Sequence, residues 1–180
     1  MARRLVRSLL CASACLWAAF AAASTPVPPR LEQADLAKPE SVGAWLKVNA
    51  ARADTKAAQT FFQYGEKAAK RGDWGGASKA FGESAIHLPT PRHLEAYADA
   101  RLKMFGELRR RDKNLAENKR EDLAEALGVY RSAVTADEVL HALAKLNKAA
   151  LASKIECLEA SQKKGAPVNG CEPAKSYFGR

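Results

Sequence analysis

The segment 61–89 constrains the fold of this chain more than any other stretch. It places two small residues, Gly65 and Ala77, twelve positions apart among large apolar side chains. Antiparallel helices approach each other closely only where small residues meet, and large side chains one turn away then interlock. The segment therefore predicts a helical hairpin with Gly65 and Ala77 at the contact between the helices. The large side chains expected to interlock there are Phe61, Tyr64 and Phe81.

The sequence also predicts the turn of this hairpin and the ends of its helices. Basic residues end the first helix near Lys70, and Gly72 follows where a positive φ is needed. Asp73 is a typical N-cap for the second helix, as Asp54 is for the first. We expect one helix from 54 to about 70 and the next from about 75 to 87.

The same residues resemble one tetratricopeptide repeat. Phe61-x₂-Tyr64-Gly65-x₂-Ala68 matches the first helix of the family pattern, although Ala68 stands where the family usually has tyrosine. Ala77-x₃-Phe81 matches the second helix, and Pro89 ends the unit. The resemblance implies a stack of helical hairpins that binds other molecules, and it does not by itself identify a partner.

A second, longer hairpin is predicted over 91–133. Leu94-x₂-Tyr97-Ala98 repeats the first-helix pattern, and Ala126-x₃-Tyr130 repeats the second. The stretch between the two small residues is more than twice as long here as it is between Gly65 and Ala77. Two extra turns on each helix absorb most of this length without rotating either packing face. A capping box at Asn114 and Glu117 would begin the longer second helix.

The last helix is expected to run from a capping box at Thr135 and Glu138 to about Ala160. Its apolar stripe predicts a capping helix for a short stack. The predicted fold is thus all-α, with antiparallel helical hairpins stacked as a short tetratricopeptide-like solenoid over 39–161 and a tail over 162–180.

The segment 1–23 is typical of an export signal. A basic start is followed by an apolar run over 8–20 and by a small-residue cleavage site ending at Ala23. A lipid-modified Cys15 is the alternative. Cleavage would lower the net charge from +9 to +6 by removing three arginines. We expect a periplasmic or secreted protein without a membrane span after cleavage, a proline-rich flexible leader over 24–38, and a short helix from Pro39 to about Ala51.

Two cysteines remain after the signal, Cys157 and Cys171. An even pair in an exported chain predicts a disulfide, which would hold the C-terminal tail against the core.

The sequence offers little for catalysis. His87, His93 and His141 fall on different predicted helices or helix ends, and none has another metal ligand at a typical spacing. No glycine-rich loop follows a strand, and no nucleic-acid-binding module is recognisable. We therefore expect no enzyme activity, no metal, no cofactor and no nucleic-acid partner; the oligomeric state stays open.

The resemblance implies that a protein or peptide of the cell envelope binds along the concave surface made by the first helix of each hairpin. That surface matches Phe62, Glu66, Lys70, Glu95, Asp99, Lys103, His141, Lys145 and Lys148. The alternative is a cell-wall polymer or lipid headgroup, anionic in either case, bound by the basic tip of the second hairpin. The tip residues are Arg109, Arg110, Arg111, Lys113, Lys119 and Arg120.

Overall fold

The computed structural model describes residues 27–111, 120–164 and 171. Within them the chain is all-α without a sheet, which confirms the all-α part of the predicted fold. From the second helix onward each helix packs against the next. Short 3₁₀ turns lie at Gln33–Asp35 and Ala50–Arg52. The α-helices are α1 (Pro39–Asn49), α2 (Thr55–Lys70), α3 (Trp74–His87), α4 (Pro91–Arg111), α5 (Arg120–Leu140) and α6 (Lys145–Lys164).

The caps of the α2–α3 hairpin are the predicted ones. The Asp54 carboxylate accepts a hydrogen bond from the backbone N–H of Ala57 at 2.8 Å. Asp73 accepts one from Gly76 at 2.8 Å. Gly72 between the helices has a φ of 75°, a conformation that side chains disfavour. These local contacts mark the beginning of both helices and the end of α2.

The predicted helix contact is confirmed at Gly65 and wrong at Tyr64. A Cβ added to Gly65 would lie 2.5 Å from Cε1 of Phe81, so only glycine fits against this ring. Ala77 on α3 is fully buried. Tyr64, however, is 55% exposed, because no described helix covers its side of α2.

The second hairpin has long helices on both sides of its tip. α4 begins after Thr90, whose hydroxyl accepts a hydrogen bond from the backbone N–H of His93 at 3.3 Å. α4 reaches Arg111 and α5 begins at Arg120, which confirms helical arms beyond the length of the first hairpin. The small residues Ala98 and Ala126 are fully buried, as the repeated pattern predicts. The proposed capping box at 114–117 lies outside the described residues.

The prediction for the last helix is wrong at its beginning. α5 continues through Thr135 to Leu140, and α6 starts only at Lys145. The Thr135 methyl group packs against α1, so closely that a Cβ added to Gly43 would lie 2.9 Å from it. Because of this packing, Thr135 lies inside α5 and does not cap a helix. His141 breaks the helix with a φ of 51°. Leu143 and Ala144, which the sequence predicts inside the last helix, therefore lie in the turn between α5 and α6.

The N-terminal segment packs against the second helices of the hairpins. Leu36 is fully buried and Leu31 nearly so, and the Leu31 N–H donates a hydrogen bond to the carbonyl of Ile86 at 3.0 Å. A Cβ on Gly128 of α5 would lie 2.5 Å from the Ala37 carbonyl oxygen. The predicted flexible leader is therefore wrong for 31–38, because two leucines anchor it. α1 follows directly and packs on α5.

The predicted disulfide is confirmed. Cys157 on α6 is bonded to Cys171, with 5.5 Å between their Cα atoms. Cys171 is buried, and its Sγ lies 3.2 Å from the Ser161 hydroxyl. The bond therefore holds residue 171 against α6.

Candidate functional site

Phe62 lies in the core rather than on an open surface. Its ring is fully buried, with centroids 5.1 Å from both the Phe81 and His93 rings. The Arg92 guanidinium lies 4.4 Å above the same ring. The prediction of Phe62 as an accessible binding residue is wrong because Phe81 of α3 and the first turn of α4 cover its ring.

The other two groove positions of α2 differ from each other. Glu66 is partly exposed, and its carboxylate lies 3.5 Å from the Arg92 guanidinium. Lys70 is exposed in the last turn. Only Lys70 of the three is available to a partner without breaking a contact between helices.

The groove positions of α4 form a buried ionic cluster. Lys154 of α6 donates to Glu95 at 2.7 Å and to Asp99 at 2.9 Å. Glu95 is 6% exposed and Asp99 is 1% exposed. α6 therefore closes this part of the groove with its own lysine, and the prediction of Glu95 and Asp99 as open binding positions is wrong. Lys103, one turn further along α4, is partly exposed.

Tyr130 of α5 completes this cluster by donating a hydrogen bond to Asp99. Burial raises the pKa of Asp99, although Lys154 and Tyr130 oppose that effect. Burial and the neighbouring Asp99 carboxylate raise the pKa of Tyr130 well above its ordinary value. Burial alone would lower the pKa of Lys154, but Asp99 and Glu95 outweigh it and raise that pKa. The cluster joins three helices and keeps both carboxylates away from solvent.

The predicted groove positions at the C-terminal end do not share one helix. His141 is exposed in the turn between α5 and α6. Lys148 lies on α6 and pairs with Asp137 of α5 at 2.5 Å. Burial raises the pKa of Asp137, yet hydrogen bonds from Lys148 and from the Leu143 N–H prevail and lower it. Lys145 begins α6, and its side chain lies outside the described part.

The basic tip falls largely outside the described residues. The last residues of α4 and the first residue of α5 belong to this tip: Arg109, Arg110, Arg111 and Arg120. Their backbone is described, but their side chains are not. Lys113 and Lys119 lie wholly outside the described residues. Binding by this tip remains a prediction.

Sequence reasoning overlooked the exposed side of α2. Residues at spacings of three and four positions form a stripe on one side of a helix. Tyr64 lies on this side, with the Lys67 ammonium 5.8 Å from its ring centroid. The helical spacing of these residues could be read from the sequence. The sequence did not show that none of the described helices covers this side of α2. We call this surface the α2 outer face; it consists of Lys56, Thr60, Gln63, Tyr64, Lys67, Lys70 and Arg71.

Features of other site classes are few in the described ranges. No group of histidine, cysteine, aspartate and glutamate side chains there could hold a metal ion. None of the described helices combines the length and apolarity of a membrane span. His87 stacks on Phe61 with ring centroids 5.6 Å apart, and His93 donates a hydrogen bond from Nδ1 to the Leu88 carbonyl at 2.8 Å. Burial lowers the pKa of both histidines.

Comparison of the chain with family models, with curated proteins and with solved structures finds no match. A function for this chain consequently has to be inferred from its own geometry.

Proposed function

We propose that this chain is an exported, non-catalytic adaptor, built as a short tetratricopeptide-like stack, that binds another envelope protein through the α2 outer face. The observation that carries this proposal is the exposure of Tyr64 at a position where the repeat pattern expects a buried large side chain. An aromatic side chain left open beside a packed hairpin is typical of an interface position.

The surroundings of Tyr64 favour binding. Its ring meets Phe61 edge-on at a centroid distance of 6.5 Å, and Lys67 lies over it. Phe61 is in turn stacked on His87 of α3. These contacts restrict the Tyr64 ring before a partner arrives, which lowers the entropy cost of association.

Several other positions of the predicted concave surface are used within the chain. Lys154 pairs with both Glu95 and Asp99, and the first turn of α4 covers Phe62. A partner entering there would have to displace α6 or α4. A partner that binds the α2 outer face displaces no helix. This face also shares Lys70 with the predicted concave surface.

Export is part of this proposal. Disulfides persist in oxidising compartments and are rare in the cytosol. The Cys157–Cys171 bond therefore supports a location outside the cytoplasm, in agreement with the basic and apolar residues at the start of the sequence.

Site-specific photocrosslinking tests the proposed surface. A benzoylphenylalanine introduced at Gln63, an exposed residue beside Tyr64, should capture a second protein in envelope fractions. The captured protein, once identified and purified, should bind the parent chain in calorimetry. Tyr64→Ala should weaken that binding by about tenfold, the loss expected for an aromatic anchor.

Matched positions separate this surface from its rivals. The same crosslinker at Lys47 on α1 should capture nothing, because that residue is exposed on a different helix. The crosslinker at Arg110 reports on the alternative, binding of anionic polymer or lipid headgroups by the hairpin tip. Capture at Arg110 of polymer or lipid, with no protein captured at Gln63, would reject the adaptor proposal.

A further inference from the structure

We infer that the partner of the α2 outer face presents an acidic segment of protein that lies lengthwise along α2. This inference rests on the proposed function and adds the chemistry of the partner. It follows from the charges on this face, which are all of one sign.

Four cations occupy the α2 outer face: Lys56, Lys67, Lys70 and Arg71. All four are exposed, and in the part of the chain that the structure describes no acidic side chain forms an ion pair with them. The other exposed positions on this face are uncharged. A surface of unpaired like charges repels itself, and an anionic partner relieves that repulsion.

Several cations elsewhere on the described surface are neutralised within the chain. Arg30 pairs with Glu83 at 2.9 Å, and Arg131 pairs with Glu159 at 2.7 Å. Lys38 pairs with its neighbour Asp35 at 2.8 Å. The α2 outer face differs from these places, because its four exposed cations lie on one side of a single helix without a described acidic partner.

The spacing of the charges sets the orientation of the partner. Lys56 and Arg71 are 15 positions apart, which is about 22 Å along a helix axis. About seven residues of extended chain, or about four turns of helix, cover this length. Tyr64 lies near the middle of the row, so an apolar side chain of the partner flanked by carboxylates would meet its ring. Protein segments offer such alternation, whereas a uniform polyanion does not.

Fluorescence anisotropy with a defined probe tests the inference. The probe is a labelled synthetic peptide, long enough to reach from Lys56 to Arg71, with glutamates on one side and a central leucine. Its matched control carries lysine in place of each glutamate. The parent chain should bind the glutamate peptide and not the lysine peptide. Raising the salt from about 50 mM to about 300 mM should weaken binding severalfold, because exposed charges are screened.

Paired variants localise the effect. Lys67→Gln with Lys70→Gln should weaken binding of the glutamate peptide by about tenfold, since Lys67 lies over the Tyr64 ring and Lys70 lies about one turn further along the same face. Lys47→Gln with Lys79→Gln removes the same net charge from α1 and α3 and should change affinity less than about twofold. Glutamine keeps the helix propensity of lysine, so circular dichroism melts should stay close to the parent. Equal losses in the two double variants would overturn the inference.

Other occupants are separable in the same assay. If inorganic polyphosphate binds more tightly than the glutamate peptide and Tyr64→Ala has no effect on either, the site takes polyanions and the inference fails. It also fails if sedimentation shows that a second copy of the chain covers α2. If the peptide does not bind while crosslinking at Gln63 still captures a protein, the acidic chemistry is rejected and the adaptor proposal stands. If neither binds, both are rejected.

Discussion

Substitution of Gly65 by alanine tests the helix contact on which the first hairpin depends. The new Cβ would lie 2.5 to 2.8 Å from three atoms of the Phe81 ring. That ring is fully buried and packs on Phe62, so it cannot move aside without disturbing a second buried side chain. Overpacking of this kind costs about 1–3 kcal/mol. Because three ring atoms are involved, we expect a cost near the upper end of that range.

The helix propensity of alanine opposes this cost. Replacing glycine by alanine inside a helix stabilises by about 1 kcal/mol. The net expectation for Gly65→Ala is therefore a loss of about 2 kcal/mol in the free energy of unfolding. For a chain of this size, such a loss lowers the melting temperature by about 4–8 °C.

Thermal and urea unfolding followed by circular dichroism measure the effect. Gly75→Ala is the matched control, since its Cβ would meet no atom closer than Asp73 Oδ1 at 3.9 Å, and it should be neutral or stabilising. Phe81→Leu introduced with Gly65→Ala should recover at least about 1 kcal/mol relative to additivity, because the clash is with the ring. A Gly65→Ala chain that melts at or above the parent temperature would refute the proposed contact.

Three further predictions concern stability. Cys171→Ala should lower the free energy of unfolding by about 3 kcal/mol, the value for a loop of this length, and calorimetry of the oxidised parent and the variant measures it. Lys154→Met should cost about 3–5 kcal/mol because it leaves the buried Asp99 carboxylate without a cation; a loss below about 1 kcal/mol in urea unfolding would contradict the ion cluster. The pKa of His93 is lowered in the folded chain, so its contribution to stability is complete above pH 6.5 and falls as the pH drops below that value. Urea unfolding at about pH 7.5 and pH 5 should show a smaller acid loss for His93→Phe than for the parent, and equal losses would exclude this histidine as a cause.

The local features of the chain could be predicted because they depend on near neighbours in sequence. Asp54 and Asp73 cap the helices that follow them, and Gly72 adopts the positive φ that the turn needs. The disulfide followed from the number of cysteines and from the expected export, and it joins Cys157 to Cys171. The caps and the turn depend on residues a few positions apart, and the disulfide depends on cysteine, the residue type that forms such a bond.

The beginning of the last helix could not be predicted in this way. Thr135 and Glu138 have the spacing of a capping box, and the same residues are compatible with the interior of a helix. The packing of α1 on α5 favours the helix interior, because the Thr135 methyl group fills the space above Gly43. These two residues are 92 positions apart, so no local pattern reports their contact.

The α2 residues Phe62 and Tyr64 show the same division between sequence and tertiary structure. Both are aromatic, and the helical period alone places them on different sides of α2. The sequence by itself determined the helix, its caps and the tight contact at Gly65. Only the tertiary structure decided that α4 buries Phe62 and that Tyr64 stays exposed, because burial depends on which helix lies alongside and not on the side chain.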